Sequence, residues 1–278
     1  MNPVEKSLWF IENHFGKDIG LDDIAAAAGV SRHHLSHVFG LATGRSVMGY
    51  VRGRRLTVAA AAPANGAPDI LSVALDAGYG SHEAFTRAFR ELFGLSPEDV
   101  RARGTLANLP VVEPIRMTRS LETKLEPPRF VDAPALLIAG LGGRYTFDTN
   151  QGIPAQWQRF NNEFQGRIPD QQGDIYYGVS HNFDDDGYFE YVCGAEVTRF
   201  GSLPAELARV RIPAHRYAVF THRDHISSIS ATHYAIMADW APHSGCQAAE
   251  ALNFERYDKR FDPMTGLGGV EIWVPVTR

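Results

Sequence analysis

The pattern Ser-Arg-His-His-Leu-Ser-His-Val-Phe at residues 31–39 recurs 50 residues later as Ser-His-Glu-Ala-Phe-Thr-Arg-Ala-Phe at residues 81–89. Each copy opens with a serine, which favours helix N-caps, and then places apolar residues at helical spacing beside a polar face. Each copy also follows a short helical pattern that ends in glycine, at Gly29 and Gly78. A helix, a tight glycine turn and a capped second helix are typical of a helix-turn-helix motif. The sequence therefore predicts two helix-turn-helix motifs, which would bind adjacent stretches of the major groove on one face of a DNA duplex.

The rest of residues 1–105 also has helical periodicity, so we expect an all-α domain there. Asp69 and Ser96 are favourable helix starts, whereas Gly44 and Gly94 are favourable ends. Residues 106–120 carry two prolines and no clear period, which indicates a linker. The predicted helices span residues 3–15, 21–28, 31–42, 46–61, 69–77, 81–93 and 97–102.

Residues 121–278 have the composition of a second domain, rich in β-forming residues. Two helical stretches, about 153–166 and 226–241, interrupt the predicted strands, so the order β-α-β-β occurs twice. This duplication predicts a two-lobed α+β domain with a cleft along a pseudo-twofold axis. The predicted strands span residues 133–147, 175–182, 188–198, 208–222, 247–257 and 269–276.

The bulk composition narrows the class of protein. A chain of 278 residues with 44% hydrophobic residues can form two packed domains. We expect a cytoplasmic protein without a membrane partner, because the sequence has neither a membrane-length apolar run nor a signal segment. Cys193 and Cys246 lie far apart in apolar contexts, which favours buried free thiols over a disulfide.

The charge distribution bears on DNA binding. The net charge is −5, but residues 1–105 are neutral, with 11 basic and 11 acidic side chains. Arginines cluster after the first motif, at Arg45, Arg52 and Arg55. A weakly charged module implies modest non-specific binding and a need for specific contacts.

The first domain resembles the AraC/XylS family of DNA-binding domains. The resemblance covers nearly all of residues 3–102 and is strongest at residues 24–31 and 77–97. Val100 departs from the family pattern, which has an aromatic residue before Arg101. The resemblance implies a double helix-turn-helix domain that binds double-stranded DNA.

The second domain resembles the GyrI-like effector-binding domains, over about residues 121–278. Residues 212–222 resemble the opening strand of the second lobe, residues 252–258 the strand that carries a glutamate, and residues 270–276 the last strand. Together the two domains resemble the Rob-like arrangement. The resemblance implies a transcription regulator whose partners are DNA, a small-molecule effector and RNA polymerase.

The polar faces of the two second helices supply the candidate DNA contacts. A recognition helix presents its first turns to base edges, where arginine pairs with guanine and glutamate accepts from cytosine. A solvated polar face is the alternative, but two matched copies with the family pattern favour DNA. The candidates for base contact are Arg32, His33, Ser36, His37, His82, Glu83, Thr86 and Arg87, and those for phosphate contact are Arg45, Arg52 and Arg55.

The candidate effector site centres on Glu255, which the resemblance marks as the family's glutamate. Strand alternation places Asn253, Glu255 and Tyr257 on one face. An unpaired carboxylate among aromatic residues is costly, and a lipophilic cation would relieve that cost. The alternatives are an ion pair with a nearby arginine, Arg144, Arg211 or Arg216, and core positions for the aromatic residues. The other predicted ligand contacts are Tyr145, Trp157, Tyr191, Trp240 and Tyr257.

Other function classes have weaker support. His222 and His225 have metal-like spacing but no evident third ligand, and Asp184-Asp185-Asp186-Gly187 is most simply a hairpin turn. We expect no cofactor, because no P-loop, dinucleotide fingerprint or nucleophile motif occurs. Two alternatives to an effector-binding regulator stay open: a small-molecule hydrolase with Glu255 as general base, fused to a DNA-binding module, and a domain whose cleft captures a polypeptide.

Overall fold

A computed structural model of the protein describes residues 2–67, 69–115, 123–147, 149–184, 186–249 and 251–277. The chain divides into two compact units. The first comprises Pro3–Leu35 and Ser46–Arg119, and the second comprises Asn2, Ser36–Arg45 and Ser120–Arg278. The fold class agrees with the prediction of a helical region followed by an α+β domain.

The helices at the start of the chain lie within a few residues of their predicted bounds. Their ends follow from local chemistry: the Ser81 hydroxyl accepts a hydrogen bond from the Ala84 amide at 3.1 Å, and Gly29 ends a helix in the left-handed conformation. The helices are α1 (Pro3–His14), α2 (Leu21–Ala28), α3 (Arg32–Thr43), α4 (Val47–Ala64), α5 (Ile70–Asp76), α6 (His82–Phe93) and α7 (Pro97–Arg103).

The apolar stripe of α6 fixes which face of that helix meets solvent. Phe85, Phe89 and Phe93 are buried in one core cluster together with Val100. The departure from the family pattern at Val100 is therefore absorbed by the core, where this side chain is fully buried. The opposite face of α6 is left to polar side chains.

The described part of the predicted linker is anchored on α4. The Val112 amide donates to Thr57 Oγ1 at 2.9 Å, and Arg54 donates to the Val112 carbonyl oxygen at 2.8 Å. The same guanidinium pairs with Glu12 of α1, with 3.0 Å between Nε and Oε1. Residues 111–115 thus belong to the packed helical unit, and residues 116–120 of the predicted linker lie outside the described residues.

The second half of the chain contains more strands than the sequence predicts. The predicted strand 208–222 is divided at Pro213, because proline cannot donate to a strand ladder. The predicted strand 247–257 is also two strands, and Arg129–Ala133 is a strand that the prediction missed. The strands are β1 (Arg129–Ala133), β2 (Leu136–Thr146), β3 (Gln171–His181), β4 (Tyr188–Val197), β5 (Leu207–Ile212), β6 (His215–His222), β7 (Gln247–Ala248), β8 (Phe254–Tyr257) and β9 (Val270–Thr277).

The helical stretches of this half are α8 (Ile153–Glu163) and a longer, irregular segment. That segment runs from a 3-10 turn into α9 (Ile229–Tyr234), a π-helix (Ala235–Trp240) and the short α10 (Ala241–His243). Helix α8 packs against β2 and β4.

The sheet confirms the predicted duplication. Its described strands are antiparallel neighbours in the order β1-β6-β9-β8-β3-β4-β2-β5, with β7 pairing with β9. One β-α-β-β unit is β2-α8-β3-β4 and the other is β6-α9-β8-β9. The units meet where β3 pairs with β8, and there Gly178 faces Glu255. Strand β1 precedes the first unit in the chain but pairs with β6 of the second unit. Strand β5 precedes the second unit but pairs with β2 of the first.

Candidate functional site

Strand β8 presents Glu255 and Tyr257 on one face, as the alternation predicts. Phe254 lies on the other face, where its ring stacks on Trp273 with centroids 5.2 Å apart. The core therefore holds the strand from one side, and Glu255 projects from the opposite side. The carboxylate is largely enclosed, with 14% of its side chain exposed.

Three side chains donate hydrogen bonds to the Glu255 carboxylate. Tyr257 and Tyr191 donate their hydroxyls to Oε2, at 2.8 and 3.0 Å. His233 of α9 lies with Nε2 3.0 Å from Oε1. The expectation of an unpaired carboxylate is therefore wrong. The contact with His233 was not predicted from the sequence, and Arg144 pairs with Asp184 rather than with Glu255.

Aromatic side chains surround this hydrogen-bonded centre. Trp157 of α8 donates its indole N–H to the Tyr191 hydroxyl at 3.0 Å, and its ring lies 4.8 Å from that of Tyr257. Tyr145 is joined through Gln156, which accepts from the Tyr145 hydroxyl at 2.6 Å and donates to the Tyr191 carbonyl oxygen at 3.0 Å. Five of the six predicted ligand contacts are thus connected. With Gln156 and His233 they form what we call the Glu255 cluster: Tyr145, Gln156, Trp157, Tyr191, His233, Glu255 and Tyr257. The sixth, Trp240, packs edge-to-face on Phe220 instead.

Gly178 makes the Glu255 cluster sterically feasible. It lies opposite Glu255 on the neighbouring strand β3. A Cβ atom at this position would overlap the Tyr191 hydroxyl oxygen and would lie 2.6 Å from Glu255 Oε2. The tyrosine and the glutamate can therefore meet only because this residue has no side chain.

The electrostatics of the cluster keep Glu255 ionised. Burial raises the pKa of its carboxyl, but hydrogen bonds from His233, Tyr257 and Tyr191 and the charge of His233 outweigh burial and hold the pKa below its ordinary value. Burial and the nearby carboxylate raise the pKa values of Tyr191 and Tyr257 well above the ordinary value, so both phenols remain hydrogen-bond donors. The site is a buried anion that accepts hydrogen bonds from two neutral phenols and from His233.

The polar face of α6 carries the predicted contacts of the second motif. Glu83 and Arg87 are exposed, whereas the Thr86 hydroxyl is buried without a hydrogen-bond partner among the described residues. His82 Nε2 lies 3.0 Å from Glu98 Oε1 of α7. These side chains line an open depression of about 520 Å³ together with Arg90. The predicted contacts of the second motif thus lie together on one face of α6.

The predicted contacts of the first motif are not all exposed. Arg32 and His33 are on the surface, and Arg32 Nε lies 3.3 Å from Asp22 Oδ1. Ser36 is partly exposed. His37 is buried, because its ring packs beside those of Phe183 and His233 within the second compact unit.

The three predicted phosphate contacts also differ in setting. Arg45 and Arg52 are exposed. Arg55 is partly buried, and its guanidinium donates to the backbone carbonyl oxygens of Phe15, at 2.5 Å, and of Lys17. These carbonyl groups follow the end of α1, so Arg55 ties α4 to that helix end.

The candidate metal ligands are engaged in local hydrogen bonds. His222 lies 2.8 Å from Thr232 Oγ1, and His225 lies 2.8 Å from Ser227 Oγ. Among the residues that the structure describes, no group of three histidine, cysteine or acidic side chains could hold a metal ion. Asp184 accepts from the Tyr188 amide at 2.8 Å, as a turn residue does, whereas Asp185 lies outside the described residues.

The two cysteines are free thiols in different settings. Cys193 is buried in the sheet core, and burial raises its pKa to about 12. Cys246 is partly exposed rather than buried, since it follows the turn after α10. Over the described residues, no helix combines the length and the apolar character that a membrane span requires.

Comparison with known proteins assigns both parts of the chain. Residues 126–277, more than half of the sequence, match the model of the GyrI-like small molecule binding domain. The chain belongs to the GyrI-like family. Residues 24–103 match a helix-turn-helix domain model, so the predicted succession of an AraC-type helix-turn-helix domain and a GyrI-like domain is confirmed.

Curated relatives cover only parts of the chain. The transcriptional regulator Rob of Salmonella typhimurium is 33% identical over 41% of this chain and 39% of its own length. The transcriptional regulator BrlR of Pseudomonas aeruginosa is 30% identical over 53% of this chain and 54% of its own length. The regulatory protein SoxS of Escherichia coli is 31% identical over 36% of this chain and 94% of its own length. The chain thus spans about half or less of the length of Rob and BrlR.

Proposed function

We propose that this protein is a sequence-specific DNA-binding transcription regulator whose GyrI-like domain binds a small lipophilic cation. The observation that carries the proposal is the Glu255 cluster, an ionised carboxylate enclosed by aromatic side chains. Removing a carboxylate from water is costly unless a positive charge compensates it. Hydrogen bonds from Tyr191, Tyr257 and His233 offset part of this cost. A cation that reached Glu255 would offset more of it, and its apolar groups would fit the aromatic surroundings.

The aromatic residues add a second attraction to the same class of ligand. A cation over an aromatic face gains about 0.5–2 kcal/mol, more where water is excluded. Trp157, Tyr191 and Tyr257 lie within direct contact of one another around Glu255. A neutral lipophile would gain the apolar contacts but neither the ion pair nor the cation–π attraction.

The protonation state of Glu255 favours binding over catalysis. A general base works best with a pKa near the operating pH, whereas the pKa of Glu255 lies below the ordinary value for a glutamate. Both carboxylate oxygens already accept hydrogen bonds. The hydrolase alternative therefore has no support in this geometry.

We propose that the exposed face of α6 contacts the operator, with Arg87 and Glu83 toward base edges and with Arg45 and Arg52 toward phosphates. Binding of the effector would then change DNA affinity or the recruitment of RNA polymerase. A coupling of about 1–3 kcal/mol is enough for such regulation.

The test is calorimetry on the full chain with benzyltrimethylammonium and with neopentylbenzene, its neutral carbon isostere. We expect the cation to bind more tightly than the isostere, and Glu255→Gln to remove the difference. Glu163→Gln, which alters a surface ion pair on α8, is the matched control and should leave cation affinity unchanged. Equal affinity of the unmodified protein for the two compounds would disprove the cationic preference.

A further inference from the structure

We propose that Gln156 of α8 is a positioning residue that limits the size of the cation accepted at Glu255. Its side-chain amide holds the first turns of α8 on the sheet, so that Trp157, the next residue, stays at a fixed distance from the carboxylate. This inference rests on the proposed function of the Glu255 cluster and adds what limits the ligand. Gln156 acts through Trp157 rather than by contact with the cation.

The side-chain amide of Gln156 has hydrogen-bond partners at both ends. Nε2 donates to the backbone carbonyl oxygens of Leu141, at 2.7 Å, and of Tyr191, at 3.0 Å. Oε1 accepts from the Tyr145 hydroxyl at 2.6 Å. Because the two carbonyl oxygens can only accept, the nitrogen must face them, and the amide has one satisfactory orientation. Gln156 is thereby tied to two neighbouring strands, to β2 through Leu141 and to β4 through Tyr191.

Two glycines make room for the Tyr145–Gln156 hydrogen bond. A Cβ atom on Gly143 of β2 would lie 2.7 Å from Gln156 Oε1 and 2.7 Å from the nearest atom of the Tyr145 ring. A Cβ atom on Gly152, which directly precedes α8, would lie 3.0 Å from the same ring. These distances are well inside the optimal separation of non-bonded carbon atoms, about 3.5–4.0 Å. Side chains at either position would therefore crowd the tyrosine and the glutamine.

The first turns of α8 depend on the Gln156 amide, because the rest of the helix supports them weakly. Gly152, at the N-cap, has no side chain with which to cap the helix. Ile153 is only partly buried, whereas the fully buried Phe160 lies in the second half of α8. Apolar packing is non-directional, but hydrogen bonds to backbone oxygens require a defined direction. The Gln156 amide thus fixes where the start of α8 lies on the sheet.

Trp157 is the side chain whose position follows from this attachment. Its indole N–H donates to the Tyr191 hydroxyl at 3.0 Å, and that hydroxyl donates to Glu255 Oε2 at 3.0 Å. The Trp157 ring also lies 4.8 Å from the Tyr257 ring. Gln156 and Trp157, adjacent in α8, therefore bind the backbone and the hydroxyl of one residue, Tyr191. An outward shift of the first turns would break both attachments and widen the space beside the carboxylate.

The close packing beside Glu255 sets the expected ligand preference. Long alkyl chains on a cation would have to displace Trp157, since 14% of the Glu255 side chain is exposed. If the wall could move freely, a larger cation would bind more tightly, because burial of apolar surface is favourable. A rigid apolar pocket discriminates by about 10–200-fold between ligands that differ by one methylene group. We therefore expect the unmodified protein to bind benzyltrimethylammonium at least about tenfold more tightly than benzyltributylammonium.

The experiment is calorimetry on the full chain with these two cations. Gln156→Met keeps the side-chain length without the amide, and Gln156→Glu keeps an acceptor for Tyr145 but turns a carboxylate toward two carbonyl oxygens. We expect both variants to reduce the preference for the smaller cation to less than about threefold. The charge that Gln156→Glu adds attracts both cations, so the ratio of the two affinities reports size alone. Gln158→Glu adds the same charge at an exposed position of α8 and should keep the preference.

Fluorine NMR on protein that carries fluorotryptophan gives a direct readout of the Trp157 ring. Its resonance is assigned with Trp157→Phe. We expect both substitutions of Gln156 to move this resonance and Gln158→Glu to leave it in place. A general loss of stability would weaken the binding of both cations together and leave the ratio unchanged. The preference of the unmodified protein tests the inference even if the variants of Gln156 fail to fold.

Three results would overturn the inference. One is an unmodified protein that prefers benzyltrimethylammonium to neopentylbenzene but binds the two cations equally; the proposed cationic effector would then stand without a size limit. Another is a preference for the smaller cation that persists in both Gln156→Met and Gln156→Glu. The third is the absence of any preference for benzyltrimethylammonium over neopentylbenzene in the unmodified protein, which would refute the proposed function as well.

Discussion

Substitution of Gly178 by alanine tests the assembly of the Glu255 cluster. The added methyl group would overlap the Tyr191 hydroxyl and press on Glu255 Oε2. Overpacking of this kind costs about 1–3 kcal/mol, and loss of a hydrogen bond to a buried charge costs about 1.5–3 kcal/mol. We therefore expect Gly178→Ala to reduce the free energy of unfolding by about 2–5 kcal/mol and to weaken cation binding.

The measurement is urea unfolding of the full chain, followed by tryptophan fluorescence and by far-UV circular dichroism, with cation affinity measured in parallel. Gly142→Ala is the matched control. It lies on β2 of the same sheet, and its nearest contact would be the Ala208 methyl group at 3.2 Å. We expect Gly142→Ala to reduce the free energy of unfolding by less than about 1 kcal/mol. A Gly178→Ala protein that is as stable as the control and binds the cation normally would refute the assigned contacts.

Three further predictions concern the helical unit. Arg87→Ala should weaken operator binding by about 1–3 kcal/mol in fluorescence anisotropy, and an equal loss on a scrambled duplex would show a phosphate contact only. The pKa of Glu98 lies below its ordinary value, because hydrogen bonds from its backbone, from His82 and from Ser96 outweigh partial burial. The ionised Glu98 therefore stabilises the folded state above the ordinary pKa of 4.5, and this stabilisation is lost as the pH falls through the lower pKa that Glu98 has in the folded protein. Glu98→Gln should reduce the free energy of unfolding by less than about 1 kcal/mol at neutral pH, because the His82–Glu98 pair is partly exposed to solvent. It should have no effect in strong acid, and an equal reduction at both pH values would contradict this. Arg54→Met should reduce the free energy of unfolding in urea by about 3 kcal/mol, because Glu12 loses its cationic partner and keeps the hydrogen bond from Tyr50. It should also expose residues 111–115 to proteolysis, and unchanged proteolysis would argue against the anchor.

The helical half of the fold was predictable because its signals are local. Serine caps, glycine ends and an apolar stripe each act within one turn of helix, so the bounds of α6 follow from residues 81–94 alone. The duplicated order of strands and helices was equally visible. The division at Pro213 was missed because the apolar run continues on both sides of the proline. Strand β1 was missed because its pairing partner β6 lies far away in sequence.

The candidate site was predictable in part. Alternation along β8 placed Glu255 and Tyr257 together, and topology brought in Trp157 and Tyr191. Nothing local marks His233 as the partner of Glu255, because the contact joins α9 to β8 and depends on the packing between them. Topology also failed to fix the surroundings of Trp240, which lies in the π-helix, where the usual helical spacing does not predict orientation.

The exchange of strands between the two β-α-β-β units has a consequence for dividing the domain into fragments. Each unit is bordered by a strand that lies ahead of the other unit in the chain, so excising either one would leave an open ladder edge on the remainder. Neither repeat is therefore expected to fold on its own with every strand paired as it is in the intact sheet.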